Sequence, residues 1–396
     1  MNEFSPTAPS NSDIAELITW RRALHQHPEL SGEERETALR IGEMLTPTQP
    51  DQIYTGLGGH GVAAVYDSGI AGPTVLLRCE TDALPIEELG EIAHRSTISG
   101  ISHLCGHDGH AAIMLGMARQ LAKTRLPRGR VVLLFQPAEE NGAGAVAVIA
   151  DPRFASIAPD YAFSLHNMPG FAFGTGVISA GPANCASRGM QIKLTGSTAH
   201  AASPETGRSP MQAISRLMPA LEASGPRGPL VPGFAMVTVT HATMGAASFG
   251  VAPGGAEVFA TLRTVTNESM AALVAKAEQL VQAAAEASDL SYEISYHDVF
   301  SACDNDPSAT HYLQEGAVRT GLKLQPLDEP LRASEDFGLY GAQAKSAMLF
   351  LGAGTDTPMV HTPEYDFPDD LIALGIGLFS HTLTAFADDQ LSEATS

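Results

Sequence analysis

Positive charge and cysteine are both scarce in this sequence. Its 23 lysines and arginines stand against 44 aspartates and glutamates, so the formal net charge is −21. This balance argues against a nucleic-acid partner and against an anionic membrane surface, because phosphate groups need compensating Lys and Arg. The four cysteines are too few and too scattered along the chain for a disulfide framework.

Long apolar segments are missing as well. No apolar run approaches the ~18 residues of a membrane span, and the first twelve residues have neither the basic region nor the apolar region of a signal peptide. Hydrophobic residues still make up 44% of the 396, which indicates a well-cored globular chain. We therefore expect a soluble, reduced, cytoplasmic protein of roughly two or three domains.

Three short apolar runs, at 74–80, 130–135 and 161–165, have the composition of buried parallel strands. They alternate with helical segments, so the sequence predicts an α/β fold with a doubly wound, mostly parallel sheet. Polar residues stand where these runs end: Glu80 and Asp82 after the first, Glu139-Glu140 after the second, and His166 after the third. Because sites in such sheets lie at the carboxyl ends of the strands, we expect these side chains to lie close together.

A metal-ligand motif occurs at residues 103–112, which read HLCGHDGHAA. Cys105 and His107 are two residues apart and can point the same way, and thiolate and imidazole suit zinc and its neighbours. Asp108 precedes a helical segment and is predicted to be its N-cap. Alone, the pair could equally be a buried thiol beside a hydrogen-bonded histidine.

Five candidate ligands exceed what one ion needs. One metal takes three or four protein ligands, so five with a bridging Cys105 indicate two metals roughly 3.5–4 Å apart. Zinc suits the donors, although cobalt, nickel and manganese remain open. Glu139 is a candidate general base beside the metals, and the alternative for this pair is a solvated loop. The ligands are Cys105, His107, Glu140, His166 and His361.

Residues 183–299 follow a different pattern, with strand and helix signals in the order β-α-β-β-α-β. Doubly wound sequence resumes afterwards, so this α+β unit is predicted to be an insertion. The expected division is 1–182 and 300–396 for one domain, with 183–299 inserted. Nearer the N-terminus, Ser31 to Glu34 has the form of a capping box at the start of a second helix.

Seven segments, in order and spanning nearly the whole chain, resemble one known group of enzymes. The chain is similar to the two-metal aminoacylase and carboxypeptidase superfamily, and within it to the amidohydrolase branch of hippurate hydrolases, N-acyl-amino-acid hydrolases and auxin-conjugate hydrolases. The segments are residues 21–30 (RRALHQHPEL), 82–86 (DALPI), 105–110 (CGHDGH), 135–140 (FQPAEE), 200–202 (HAA), 334–337 (SEDF) and 361–367 (HTPEYDF).

The resemblance implies the same five metal ligands and implies that Glu139 is the general base. It also implies that the 183–299 insertion is a lid or dimerisation domain, with a homodimer or higher oligomer formed through it. A lid histidine, His200, would polarise the scissile carbonyl, in some relatives across a dimer. A lid arginine, Arg263, would hold a substrate carboxylate. The implied reaction cleaves the amide bond of an N-acyl amino acid with a water activated by the metals.

The chain departs from the family pattern at two positions near this site. Glu205 follows Pro204 where relatives often have histidine, and Gly250 stands where relatives tend to have asparagine. Because of these departures, the sequence does not determine which acyl group and which amino acid the substrate contains. Cleavage of short peptides or dipeptides is an alternative, and so is a catalytically inactive protein that retains metal.

His25, His94 and six other histidines are interpreted as ordinary surface or core residues, and His103 and His110 as candidate supports of the ligands.

Overall fold

The structure is a computed structural model that describes residue 4 and residues 6–393, with side chains described as far as residue 390. The chain divides into two compact units. The first contains the chain up to Ala183, Cys303–Asp328 and the stretch from Asp336 onward. The second contains Asn184–Ala302 and Glu329–Glu335.

Eight helices and sixteen strands are present in the described part of the chain. The helices are α1 Asn11–His25, α2 Arg35–Leu45, α3 His107–Lys123, α4 Gly144–Ala150, α5 Met211–Ser224, α6 Asn267–Glu286, α7 Pro307–Thr320 and α8 Leu371–Glu393. The strands are β1 Gln52–Leu57, β2 Gly61–Asp67, β3 Thr74–Glu80, β4 Arg130–Gln136, β5 Tyr161–Pro169, β6 Thr175–Val177, β7 Gly181–Asn184, β8 Ala186–Thr195, β9 Ala199–His200, β10 Ala235–Met244, β11 Val251–Ala252, β12 Gly255–Thr264, β13 Ser291–Phe300, β14 Cys303–Asn305, β15 Lys323–Gln325 and β16 Lys345–Gly354.

The first unit is built on an eight-stranded sheet in the order β1-β2-β4-β3-β5-β16-β6-β15. Its centre is parallel, because β4, β3, β5 and β16 pair with one another in that sense. Strands β1 and β2 add an antiparallel edge. Every residue of β3 is buried, as expected of a strand covered on both faces. The predicted α/β fold with a mostly parallel sheet is confirmed.

Helix α3 lies in the core of the first unit, against α1, α8 and β3. Two of its glycines allow this close approach, since a Cβ at Gly109 would meet the Phe367 ring at 2.5 Å and one at Gly116 would meet Ile376 at 2.2 Å. By length and composition the segment Leu371–Gln390 of α8 could cross a membrane, yet 67% of its most apolar 18-residue window is buried within the chain, as in the core helix of a globular domain.

The second unit is a four-stranded antiparallel sheet in the order β10-β12-β8-β13. Helices α5 and α6 pack on each other and on this sheet, so the predicted β-α-β-β-α-β order is observed. Residues 329–335 belong to this unit, although the sequence places them in the 300–396 part. The reason is pairing: Leu331 bridges Asn184, and Arg263 donates to Ser334 Oγ at 2.7 Å.

Candidate metal centre

The loop before α3 brings Cys105 and His107 to the edge of the sheet. Its helix cap is Gly106, at φ 91°, a left-handed conformation that glycine adopts without strain. A Cβ there would lie 2.3 Å from the Asn167 side-chain oxygen, so only glycine fits. His107 is the first residue of α3 and is fully buried.

Asp108 does not cap α3, so that prediction is wrong. The cap makes no side-chain hydrogen bond. The Asp108 carboxylate instead forms an ion pair with Arg21, with Nε 2.7 Å from Oδ2, and accepts a hydrogen bond from His25 Nδ1 at 2.9 Å. His25 also lies 3.3 Å from the Glu88 carboxylate. Burial opposes its protonation, but Asp108 and Glu88 outweigh that effect and raise the pKa of His25 to about 9. His25 is therefore part of a buried ionic cluster, and the expectation of an ordinary histidine without convergent partners is wrong.

Glu139 and Glu140 follow β4 in a tight turn. Ala138 has φ 53°, a conformation that non-glycine residues rarely adopt. Its N–H donates to Glu34 Oε1 at 2.7 Å, and the Glu140 N–H, two residues further along the turn, donates to Asp82 Oδ2 at 2.9 Å. Two carboxylates from elsewhere in the first unit therefore hold the turn that carries Glu139 and Glu140.

His166 and His361 complete the predicted set. His166 lies within β5, where its Nδ1 donates to the Asn167 carbonyl at 2.7 Å, which leaves Nε2 facing Cys105 Sγ at 3.4 Å. His361 follows β16 at φ 64° and is half exposed. Its Nε2 lies 3.5 Å from Glu140 Oε2.

The structure brings all five predicted ligands together in overlapping groups. Ligand atoms of Cys105, His107 and His166 lie within 4.8 Å of one another, as do those of Cys105, Glu140 and His361. Cys105 is common to both groups. Ligand atoms of His107, Glu139 and Glu140 form a third such group, which places the predicted general base beside the ligands.

Two atoms in this cluster indicate that it suits a cation. His107 Nε2 and Glu140 Oε1 lie 3.7 Å apart, both buried, and neither has a hydrogen-bond partner among the described residues. Burial alone would lower the pKa of His107, but Asp82, Glu140 and Glu80 raise it to about 10. Because the surrounding carboxylates favour positive charge at this point, the donor set fits a divalent metal.

Asp82 orients both unpartnered ligands. Its Oδ1 accepts from His107 Nδ1 at 3.2 Å, which fixes the tautomer and turns Nε2 toward the cluster. Its Oδ2 accepts from Glu140 N–H at 2.9 Å and from Ser31 Oγ at 2.8 Å. The position of Asp82 after a buried strand was the signal for this role.

His110 supports the ligand on β5. Its Nδ1 is 2.6 Å from the Glu80 carboxylate, and its Nε2 accepts from Asn167 N–H at 3.2 Å. Asn167 in turn holds His166 through the carbonyl described above. His103, the other candidate support of the ligands, is buried, and both its ring nitrogens lack hydrogen-bond partners among the described residues.

The two remaining predicted site residues lie in the second unit. His200 is exposed on β9, and its Nδ1 accepts from Ala202 N–H at 3.0 Å. Its Nε2 must therefore carry the ring proton when the ring is neutral, and this N–H is available as a donor. Arg263 on β12 donates to Ser334 Oγ and to the Arg332 carbonyl, so its guanidinium is engaged within its own unit.

Comparisons with known proteins agree with the resemblance inferred from the sequence. The chain is 34% identical over 352 residues to N-acetyl-L-cysteine deacetylase of Bacillus subtilis (strain 168), covering 87% of this chain and 82% of that protein. It is 31% identical to hippurate hydrolase of Campylobacter jejuni, covering 89% and 92%. A solved structure of the YXEP protein of Bacillus subtilis, described as a dinuclear metal binding peptidase from the M20 family, matches with a TM-score of 0.80 at 26% identity, covering 96% of this chain and 99% of that one.

The sequence profile of one family covers most of the chain. It matches residues 76–385, from β3 to α8, and so includes both the ligand loop and the inserted unit. The predicted resemblance is confirmed. The chain belongs to peptidase family M20/M25/M40.

Proposed function

We propose that the protein hydrolyses the amide bond of N-acyl amino acids, releasing a carboxylic acid and a free amino acid. The observation that carries this proposal is the Glu139 carboxylate beside two donor groups that share Cys105. A protein that only stored metal would have no use for a proton acceptor at that point. The names of the relatives, an N-acetyl-L-cysteine deacetylase and a hippurate hydrolase, support the substrate class.

The proposed metal site holds two divalent ions, of which zinc best suits a cysteine and histidine donor set, with manganese, cobalt and nickel as alternatives. When bound, the ions would polarise the scissile carbonyl and make water more acidic. Cys105, His107, Glu140, His166 and His361 would hold them, and Cys105, the candidate for a shared ligand, belongs to two of the donor groups. Burial and the neighbouring carboxylates raise the pKa of the Cys105 thiol well above its usual range, so its thiolate form requires such positive charge.

Glu139 would move the proton in this reaction. Its carboxylate takes a proton from the attacking water and returns it to the amine nitrogen as the C–N bond breaks. One of its oxygens, Oε1, lies 3.4 Å from Asp336 N–H, which helps to hold the carboxylate in place. His200 would donate a hydrogen bond from its Nε2–H to the developing oxyanion, and Arg263 would hold the substrate carboxylate.

The proposal extends to assembly and location. We infer that the inserted unit is a lid that also forms a homodimer or higher oligomer. A cytoplasmic location is consistent with four buried cysteines that are all free thiols, since reducing compartments keep thiols in that state.

The test is release of free amino acid from a panel of N-acetyl and N-benzoyl amino acids and of dipeptides, with and without a chelator. The proposal predicts chelator-sensitive release from acyl amino acids, and turnover of the same panel should fall by about 10²–10⁴-fold in the Glu139→Gln protein. Preference for dipeptides would favour the peptidase alternative. Metal binding without turnover of any substrate would favour the inactive binding protein.

A further inference from the structure

The segment before α2 does not do what its sequence pattern predicts. Ser31 and Glu34 have the form of a capping box, yet Glu34 stands at the N-cap of α2 and makes no capping hydrogen bond. The first turn of α2 is capped by Glu29, whose carboxylate accepts from Glu36 N–H at 3.1 Å and from Thr37 N–H at 2.7 Å. The side chains of Ser31 and Glu34 are therefore free to act elsewhere.

Glu34 reaches the turn that carries the proposed general base. Its Oε1 accepts from Ala138 N–H at 2.7 Å and from Gly32 N–H at 2.8 Å. Ala138 is the residue directly before Glu139, and 104 positions separate it from Glu34 in the chain. The bond therefore ties the start of α2 to the backbone that aims the Glu139 side chain.

The Ala138 backbone needs this support. A left-handed conformation is strained for an alanine, because it brings Cβ close to the following carbonyl oxygen, so the turn would relax toward another conformation if nothing held it. The Ala138 N–H is held by Glu34, and its carbonyl accepts from Gly144 N–H at 2.9 Å. Loss of the Glu34 bond would leave one end of the strained residue unrestrained and its amide buried without a partner.

The burial of the Glu34 carboxylate also costs free energy. It is fully buried, and its Oε2 has no hydrogen-bond partner within the part of the chain that the structure describes. Burial, with a smaller contribution from the nearby Asp82 carboxylate, raises the pKa of Glu34 to about 7. A buried carboxylate that neither caps its own helix nor pairs fully is more typical of a functional site than of a stabilising contact.

We propose that Glu34 is a positioning residue for Glu139, acting through the Ala138 amide to hold the general base in its productive orientation. This inference rests on the proposed function, because it assigns Glu34 a role only through Glu139. Glu140 depends on a different support, since its own N–H donates to Asp82. Glu34 should therefore affect proton transfer far more than it affects metal retention.

The experiment compares Glu34→Ala, Glu34→Gln and Glu29→Ala in the metal-loaded enzyme. Glu29 is the matched control, because its carboxylate belongs to the same loop and accepts two backbone amides, both of them in α2. Glu34→Ala should lower kcat by about 10–10²-fold, the usual effect of a small misplacement of a catalytic group, with KM and metal content nearly unchanged. Glu34→Gln keeps an acceptor for the Ala138 amide at roughly half the strength of a charged one, so it should recover most of kcat. Glu29→Ala should lower Tm and leave kcat at 25 °C unchanged.

A double-mutant cycle separates this inference from the proposed function. In a Glu139→Gln background, Glu34→Ala should cause no further loss of kcat, because the group that it positions is already absent. Additive losses would overturn the positioning role, and so would an equal loss of kcat in Glu29→Ala or an unchanged kcat in folded Glu34→Ala. If Glu139→Gln itself kept full activity, the proposed function would fail first and independently of Glu34.

Discussion

Replacing Asp82 by asparagine should weaken metal binding, because one carboxylate supports two ligands. Its two oxygens accept from His107 Nδ1, from Glu140 N–H and from Ser31 Oγ, at 3.2, 2.9 and 2.8 Å. Asparagine has the same shape but only one acceptor oxygen. Its NH₂ group must then face either the His107 N–H or the Glu140 N–H, where two donors repel.

The expected loss of metal affinity follows from the number of acceptor oxygens that the substitution removes. One ligand loses its side-chain acceptor, which corresponds to losing one supporting partner of a metal site. His107 Nδ1 also lies 3.0 Å from the Asp82 backbone carbonyl, which the substitution keeps. Such losses reduce metal affinity by about 10–100-fold, or roughly 1.4–2.8 kcal/mol of binding free energy. Ser31→Ala is the graded control, since it removes one hydrogen bond to Asp82 and leaves both ligand contacts intact, and its effect should be smaller.

The assay is competition for metal against a chelator of known affinity, with bound metal counted by elemental analysis. Asp82→Asn should release metal at a lower chelator concentration than the wild type, and Ser31→Ala should fall between them. Equal affinities for Asp82→Asn and wild type would refute the assignment of Asp82 as the common support of His107 and Glu140.

Further predictions concern the ligands, the lid histidine and the buried ionic cluster. Glu139→Gln should reduce turnover by about 10²–10⁴-fold with metals retained, whereas Glu140→Gln should lose metal; identical behaviour of the two variants would contradict their separate roles. Cys105→Ser should lose one or both metals by elemental analysis, and unchanged two-metal occupancy with full activity would remove Cys105 from the site. His200→Ala should lower kcat by about 10²–10³-fold with metal content and Tm nearly unchanged, and full activity would exclude the oxyanion role. The pKa of His25 is about 9 in the folded chain against 6.5 as its ordinary value, so its stabilisation is complete below pH 6.5 and is lost as pH rises through 9. This loss amounts to about 3 kcal/mol. In urea unfolding, the free energy of unfolding of the wild type should therefore fall more between pH 6 and pH 9.5 than that of His25→Gln, and an equal fall in the two proteins would contradict the assignment.

The regular elements and the donor residues could be predicted because they depend on local pattern. The buried run at 74–80 is observed as β3 with the same bounds. Glu140 and His166 were visible because each follows a buried apolar run, and the ends of parallel strands meet at one edge of a sheet. Cys105 and His107 were visible because their spacing lets both side chains point the same way. The inserted unit was visible because its element order differs from that of the flanking sequence. Strands β1 and β2, by contrast, lie at the antiparallel edge and were not predicted.

The partners of the polar side chains could not be predicted in the same way. Asp108 and Glu34 stand at helix starts, where short-range rules assign both to capping. In the folded chain Asp108 faces the buried Arg21, and Glu34 faces the amide of a left-handed Ala138. Each carboxylate binds a buried donor whose loss of a partner would cost free energy.

The sequence by itself determined which residues can bind metal, the buried strands at the centre of the large sheet, and the family to which the chain belongs. Those properties depend on residue type and on spacing over a few positions. Only the tertiary structure decided that Cys105 is shared by two donor groups, that Asp82 supports two ligands, and that Glu34 acts on a turn 104 residues away. These contacts join residues distant in the chain, and which buried donor meets which acceptor is set by how the sheet and helices pack.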